Sequence, residues 1–369
     1  MAVNLKLRST ESAAATEIYI SVTPEENAPP QEQAKEIFSA IAETLRSKKA
    51  SIFQERIFGT SSAMENILQI RSDAYGDIDD GLAPSLLVAK QGLSGPIAGV
   101  QVHAIISDTP PEVINLDRCP SGRVFRSPNR ACLTLSGISA PKLPKAIEQA
   151  QAVFEKGESA LNQLGSDFLA VPRTWMWLGD ILSWYGDFNQ VRSRFFTEKG
   201  LIGEGTRQSM PASTGIGLGP ANGGKCAMDL LAILEPSDSI EYLQAAGRQQ
   251  CAFEYGSAFS RAARAITPAG QTVFISGTAS IDADGATTNI GNPAAQIKTT
   301  IENVRAALKD MNCSADDVVQ VVAYCKTTEV EKAFTKFKDV LAWPWVTVIC
   351  DICRPDLLFE IEAAAMPRS

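Results

Sequence analysis

One pattern governs what this chain can become: strands and helices alternate in a fixed order near the C-terminus, and the same order recurs twice upstream. The stretch TVFISGTASID alternates apolar and polar residues as a strand does, and it ends in a polar Asp-Ala-Asp-Gly turn. Asn292 and Pro293 then open NPAAQIKTTIENVRAALKDM, whose apolar residues fall at helical spacing. A strand at DDVVQVVAYCK, a helix at VEKAFTKFKDVL and strands at WVTVICDI and DLLFEIEAAA complete the series. Strand–helix–strand–helix–strand–strand within about 120 residues predicts an α+β unit, a mixed sheet with two helices packed on one face.

The echoes are weaker in sequence but keep the order. Near the start, EIYISVT, the helix APPQEQAKEIFSAIAETLRSK, SIFQERIFG and GPIAGVQVHAII take the corresponding places. In the middle, ACLTLSGISAP is a strand and AIEQAQAVFEKGESALNQLG a helix. TWMWLGDILSWYGDFNQVRSRFF supplies a strand end and the second helix, and MPASTGIG and KCAMDLLAIL match the last two strands. The chain of 369 residues therefore divides into units at 1–115, 116–245 and 246–369, each a sensible size for a small domain. Aligning their last strands places Glu360 of the third unit against Asp229 of the second and Gln101 of the first. The first copy has lost its carboxylate, so sites of common origin would not be alike in use.

Composition excludes several classes of chemistry. With 34 basic and 42 acidic residues the formal charge is −8, which argues against a protein that coats nucleic acid or an anionic membrane. His103 is the one histidine, so no multi-His zinc site or two-His iron site exists, and on an internal strand it reads as packing or hydrogen bonding. No metal and no cofactor are expected. MAVNLKLRST has no apolar run of a signal peptide, and no stretch of about 18 apolar residues occurs, so no membrane span is expected and the cytoplasm is the compartment read. Eight scattered cysteines suggest reduced thiols. Cys350 and Cys353 have CxxC spacing, but within WVTVICDICR they read as buried strand thiols facing opposite sides. The run from Gly219 to Lys225 has phosphate-loop spacing, yet Cys226 stands where Ser or Thr would hold magnesium and a strand follows, so a glycine hairpin or cleft rim is the better reading. SDAYGDIDDGLAPS lacks calcium-loop spacing and reads as a loop.

FISGTASID, the AAQIKTTIENVRAALKDMNCSADDVVQVVAY block and LLFEIEAAA resemble the Rid/YjgF (chorismate mutase-like) fold. Members of that superfamily are commonly trimers with clefts between subunits, so three tandem copies imply a pseudo-trimer, either monomeric or further assembled as a homo-oligomer. Over roughly residues 170–369 the ordered set RTWMWLGDI, WYGDFNQVRSRFF, PASTGIG, AFSRA and DICRPDLLFEIEA resembles chorismatases. Rid imine deaminases carry an Arg after the Pro that opens the penultimate strand. Here Trp345 follows Pro344 and Ala212 follows Pro211, which disfavours imine hydrolysis.

The resemblance implies chorismate, a dianion, as substrate, and two separated guanidiniums are its natural receptor. Arg192 in FNQVR and Arg261 in FSRA are the candidates, against the plainer reading of solvated charges. Tyr185 lies seven residues before Arg192, two helical turns away, so the two share a side; with Phe188 and Phe195 it also fits a core stripe. Tyr255 either contacts substrate or packs. PASTGIG either presents backbone amides and the Ser213 and Thr214 hydroxyls to a carboxylate, or is a strand that needs thin residues against a neighbour. Glu360 alternates with Phe359 and Ile361, which puts it on a cleft-facing side beside apolar groups with a raised pKa, suited to protonating the enol ether. Glu362, on the same face, reads as its bland neighbour. Family likeness places Ala262 and Cys353 near the choice of product: Cys353 resembles the branch that forms a hydroxybenzoate, and Ala262 resembles the hydrolytic branch at least as well. The reading favours pyruvate plus 3-hydroxybenzoate. Its alternatives are hydrolysis to a dihydroxycyclohexadienoate, a Rid-type deaminase, or a metabolite sensor without catalysis.

Overall fold

Three hydrophobic layers around three sheets follow directly from the alternation of side chains. The computed structural model describes residues 3–203 and 208–367. The first sheet holds β1 (Val3–Glu11), β2 (Thr16–Pro24), β3 (Ser51–Gly59), β4 (Ser85–Val88) and β5 (Ile97–Ile106), with α1 (Pro30–Lys48), α2 (Ser61–Met64) and α3 (Ile67–Tyr75) between them. The second holds β6 (Glu112–Leu116), β7 (Cys119–Ser127), β8 (Arg130–Ser139), β9 (Arg173–Leu178) and β10 (Ala212–Ile216), with α4 (Ala146–Gln163) and α5 (Ile181–Glu198). The two-residue β11 (Gly219–Pro220) crosses over to pair with β4, and β12 (Cys226–Glu235) returns to the second sheet. The third is built from β13 (Glu241–Leu243), β14 (Ala262–Thr267), β15 (Gly270–Ala279), β16 (Val318–Cys325), β17 (Trp345–Ile349) and β18 (Phe359–Ala365), with α6 (Pro293–Asp310) and α7 (Thr328–Leu341). In each sheet the penultimate strand pairs in parallel and the others antiparallel. The α+β units expected from the sequence are present.

Local chemistry starts the helices where the pattern placed them. The Asn292 side chain accepts from the amide of Ala295 ahead of Pro293, and Thr327 accepts from the amide of Val330, so orphan amides of the first turns are satisfied. The leading strands of the hairpins, β1, β7 and β14, each pair antiparallel with the next strand, and in β1 the alternate residues Val3, Leu5 and Leu7 pack on the core of the first unit. Two readings are corrected. Ser72–Tyr75 closes α3 rather than lying in a loop, and Arg71 of that helix pairs with Asp79 and Glu55. Cys350 and Cys353 lie beyond the end of β17, in the turn that leads to β18, so only the run up to Ile349 is strand.

Alternation sorts every strand between two cores. In β18, Phe359, Ile361, Ala363 and Ala365 pack under α6 and α7, while Glu360, Glu362 and Ala364 face inward. In β16, Val322 and Tyr324 join a central core shared with Phe53, Phe58, Trp175, Trp177 and Phe274 of the other sheets and their own. The helices thus lie outside and the three sheets face one axis. Contacts run cyclically: β4 packs on β8, β10 on β15 and β17 on β5. This is the head-to-tail arrangement of a closed trimer. No helix among the described residues is long and apolar enough to cross a membrane.

Register makes the three inward positions strictly comparable. Gln101 lies opposite Arg56, Asp229 opposite Trp175 and Glu360 opposite Tyr324. At the first–second junction Asp229 is fully committed: Arg56 Nε donates to it at 2.8 Å, Ser85 Oγ at 2.6 Å and the Gly137 amide at 2.8 Å. At the third–first junction Gln101 donates to the Val321 carbonyl at 3.0 Å. Glu360 alone of the three makes no side-chain hydrogen bond among the described residues.

Candidate active site

Glu360 opens into a cavity of about 510 Å³ between the second and third units. Six of the eight residues singled out from sequence line it: Tyr185, Arg192, Tyr255, Arg261, Cys353 and Glu360. The α5 helix supplies Tyr185 and Arg192, the segment before β14 supplies Tyr255 and Arg261, and the last strand with its preceding turn supplies the other two. Thr214 is displaced from its expected role. Its hydroxyl accepts from Arg173 Nη2 at 2.6 Å, while its strand neighbours Ser213 and Gly215 line the cavity. Ala262 is buried in the core of the third unit, one residue past the lining Arg261. PASTGIG needs thin residues as well: a β-carbon on Gly217 would lie 2.4 Å from the Asp351 carbonyl oxygen.

Guanidiniums and aromatic rings interleave along one wall. The Phe259 ring lies between Arg192 and Arg261, with each guanidinium carbon 5.6 Å from its centre. The Tyr255 ring lies between Arg261 and Arg354 at 5.4 and 5.5 Å. Arg261 is held by the Gln250 carbonyl at 3.0 and 2.9 Å and by the Tyr255 hydroxyl, which accepts at 2.7 Å. Arg192 donates from Nη2 to Asn189 at 2.6 Å, and its buried Nε has no partner among the described residues. Arg354 donates to the Gly285 carbonyl. It is a third cation that sequence reasoning passed over although it stands inside the CRPDLL motif. Three positive groups on rigid aromatic spacers suit a ligand with more than one carboxylate.

Burial sets the acids of the pocket. Desolvation first, and then the neighbouring Glu362, raise Glu360 to about 8, while Arg173 and Arg354 pull it back. Glu360 is therefore a neutral acid at neutral pH, with cations in place to receive the charge that proton loss creates. Burial lifts Tyr185 to about 12 and Cys353 to about 12, so both keep their protons. Burial lowers Arg192 from its usual value, with Tyr185 opposing that effect. Glu362 is no bland neighbour: Arg173 Nη2 and Trp175 Nε1 donate to it at 2.8 and 3.0 Å. Among the described residues no group of three His, Cys, Asp or Glu side chains is placed to hold a metal ion.

The sequence profile of the endoribonuclease L-PSP family matches residues 252–367, the unit that carries Glu360. The crystal structure of a chorismatase superposes with a TM-score of 0.63 at 18% identity, over 99% of this chain and 100% of that one. A 3-hydroxybenzoate synthase of Streptomyces hygroscopicus is 27% identical over 258 residues, 61% of this chain and 72% of its own length. The whole chain shares the fold of that chorismatase, and its last unit matches the endoribonuclease L-PSP family. Single-unit structures also match, among them YEO7 of yeast, 19% identical over 35% of this chain and the whole of that one, with a TM-score of 0.30.

The approach of Glu360 to the cavity depends on one glycine. Gly277 sits at an irregularity of the β15–β18 ladder between Ile275 and Thr278, and a β-carbon there would lie 2.2 Å from Glu360 Oε1. Gly277→Ala is expected to push the carboxyl aside and lower kcat/KM about 100-fold, the scale of a misplacement near 1 Å, with little change in thermal midpoint. Steady-state kinetics beside a melting curve check this. The signal was in the sequence, in the Gly of FISGTASID, but only the bulge shows what it faces.

Proposed function

We propose that the protein converts chorismate to pyruvate and 3-hydroxybenzoate. The observation that carries this reading is a neutral, buried Glu360 in a pocket walled by Arg192, Arg261 and Arg354. The named activity of the Streptomyces relative favours the hydroxybenzoate as the aromatic product.

The chemistry follows from what these side chains can do. The guanidiniums hold the two carboxylates of the substrate and fix the ring, and orientation of this kind lowers a barrier substantially. Glu360 gives its proton to the methylene of the enol ether, which becomes the methyl group of pyruvate and leaves an oxocarbenium-like carbon. The bond between the ring and the ether oxygen breaks, with the adjacent ring hydroxyl as internal nucleophile. The oxygen of that hydroxyl, now bonded to the carbon that the ether left, gives up its bond to its original carbon, and the ring loses one proton to the Glu360 carboxylate as it becomes aromatic. Pyruvate and hydroxybenzoate together hold every atom of the substrate, so no water is consumed and the acid is restored.

The test is purified protein with chorismate, pyruvate read by a coupled lactate dehydrogenase assay and the aromatic product by chromatography. Pyruvate and 3-hydroxybenzoate in equal amounts are expected. A dihydroxycyclohexadienoate would overturn the product, and an absence of pyruvate would overturn the reaction. Because the acid form works, kcat/KM should hold below a pH of about 8 and fall about tenfold per unit above it, as Glu360 loses its proton before substrate arrives.

A further inference from the structure

Behind Glu360, on the side away from the cavity, lies a second carboxylate with a fixed setting. Glu362 is two residues along the same inward face of β18, and its side chain is 6% exposed. Both of its oxygens are occupied by donors from β9 of the second unit. Arg173 Nη2 donates to Oε2 at 2.8 Å and the Trp175 indole to Oε1 at 3.0 Å. Arg173 is itself fixed, with 1% of its side chain exposed, a hydrogen bond to Thr214 and its guanidinium 4.6 Å from the Trp175 ring centre. A carboxylate bound by a guanidinium and an indole cannot turn away from them.

We propose that Glu362 is a positioning residue: its fixed negative charge, held by Arg173 and Trp175, keeps the neighbouring Glu360 in the proton-bearing form that the reaction needs. The inference rests on Glu360 being the acid of the reaction proposed above. The geometry explains why a family of inward acids on one pseudo-threefold axis behaves differently at each junction. Asp229 has Arg56 directly on its carboxylate, whereas Arg173 of the second unit is bound to Glu362 and not to Glu360. The surroundings of Glu360 are otherwise mixed. Tyr324 faces it from β16, Tyr185 and Arg192 from α5, Tyr255 and Arg261 from the segment before β14, and Cys350, Cys353 and Arg354 from the turn before β18. Of these groups only Glu362 adds negative charge. Burial and Glu362 are the two effects that raise Glu360, in that order.

The expected effect is a shift in one titration. The carboxyl stretch of Glu360, followed by infrared difference spectroscopy with Glu360→Gln as the blank, should have its midpoint near 8 in the wild-type protein. Glu362→Gln keeps the shape and removes the charge, and should lower that midpoint by about one pH unit or more. The alkaline limb of kcat/KM should move down by the same amount, so activity falls several-fold at pH 8 and changes little at pH 6. Trp175→Phe removes one of the two donors to Glu362 but leaves the charge, and should move both by less than half as much. Glu362→Met is the second charge-free variant, with the same expected fall. An unmoved midpoint in either folded charge-free variant, or an equal fall in Trp175→Phe, overturns the inference. The infrared titration needs no turnover, so failure of the proposed reaction shows separately, as a wild-type protein that releases no pyruvate.

Discussion

Replacing Glu360 by Gln should abolish pyruvate release, with kcat reduced about 10³-fold or more while chorismate still binds within a few-fold of the wild-type affinity. A positioned acid contributes about 10²–10⁴-fold, and in this pocket no other side chain can replace it. Tyr185 and Cys353 are pushed to about 12 by burial, too weak as acids to protonate a carbon, and the three guanidiniums carry protons they do not give up. Gln fills the same volume beside Gly277 and leaves Arg192, Arg261 and Arg354 in place, so affinity reports the clamp and turnover reports the proton. Coupled kinetics with a separate measurement of binding check the pair. Unchanged turnover in the variant would refute Glu360 as the acid.

Asp229→Ala should lower unfolding free energy by about 3–5 kcal/mol, the range for breaking a buried ion pair and leaving one partner uncompensated. Arg56 would be that partner: its side chain is 4% exposed, it lies 3.7 Å above the Trp175 ring centre, and the Gln54 side-chain oxygen at 2.6 Å would be its remaining acceptor among the described residues. Ser85 and the Gly137 amide lose their acceptor too. Urea unfolding measures the loss, and kcat per folded chain should stay close to wild type, because this junction is separate from the cavity that holds Glu360. A variant with wild-type stability would show that the pair contributes nothing, and a large loss of kcat would show that the junctions are coupled.

Periodic features were legible and tertiary pairings were not. The alternation of LLFEIEAAA placed Glu360 and Glu362 on one face, and the seven-residue spacing of Tyr185 and Arg192 put them on one side of a helix; both reach the cavity or its rear as local geometry requires. The pairing of Glu362 with Arg173 spans 189 residues and two units, and no local pattern reports it. Arg354 was missed because the turn between β17 and β18 has no period from which to infer direction. Thr214 and Ala262 went astray for the opposite reason. Each neighbours a lining residue, and in extended chain a shift of one position turns a side chain to the other face.

Because β10 and β15 belong to one polypeptide, the pocket they enclose never has to be found by diffusion. A homotrimer of separate subunits loses its clefts on dilution, and every substitution in it is written three times over. Tethering removes both constraints. Specific activity should not depend on how thinly the protein is spread, and each junction is free to change alone, which is how one axis can carry an amide, a locked ion pair and a working acid at the same register.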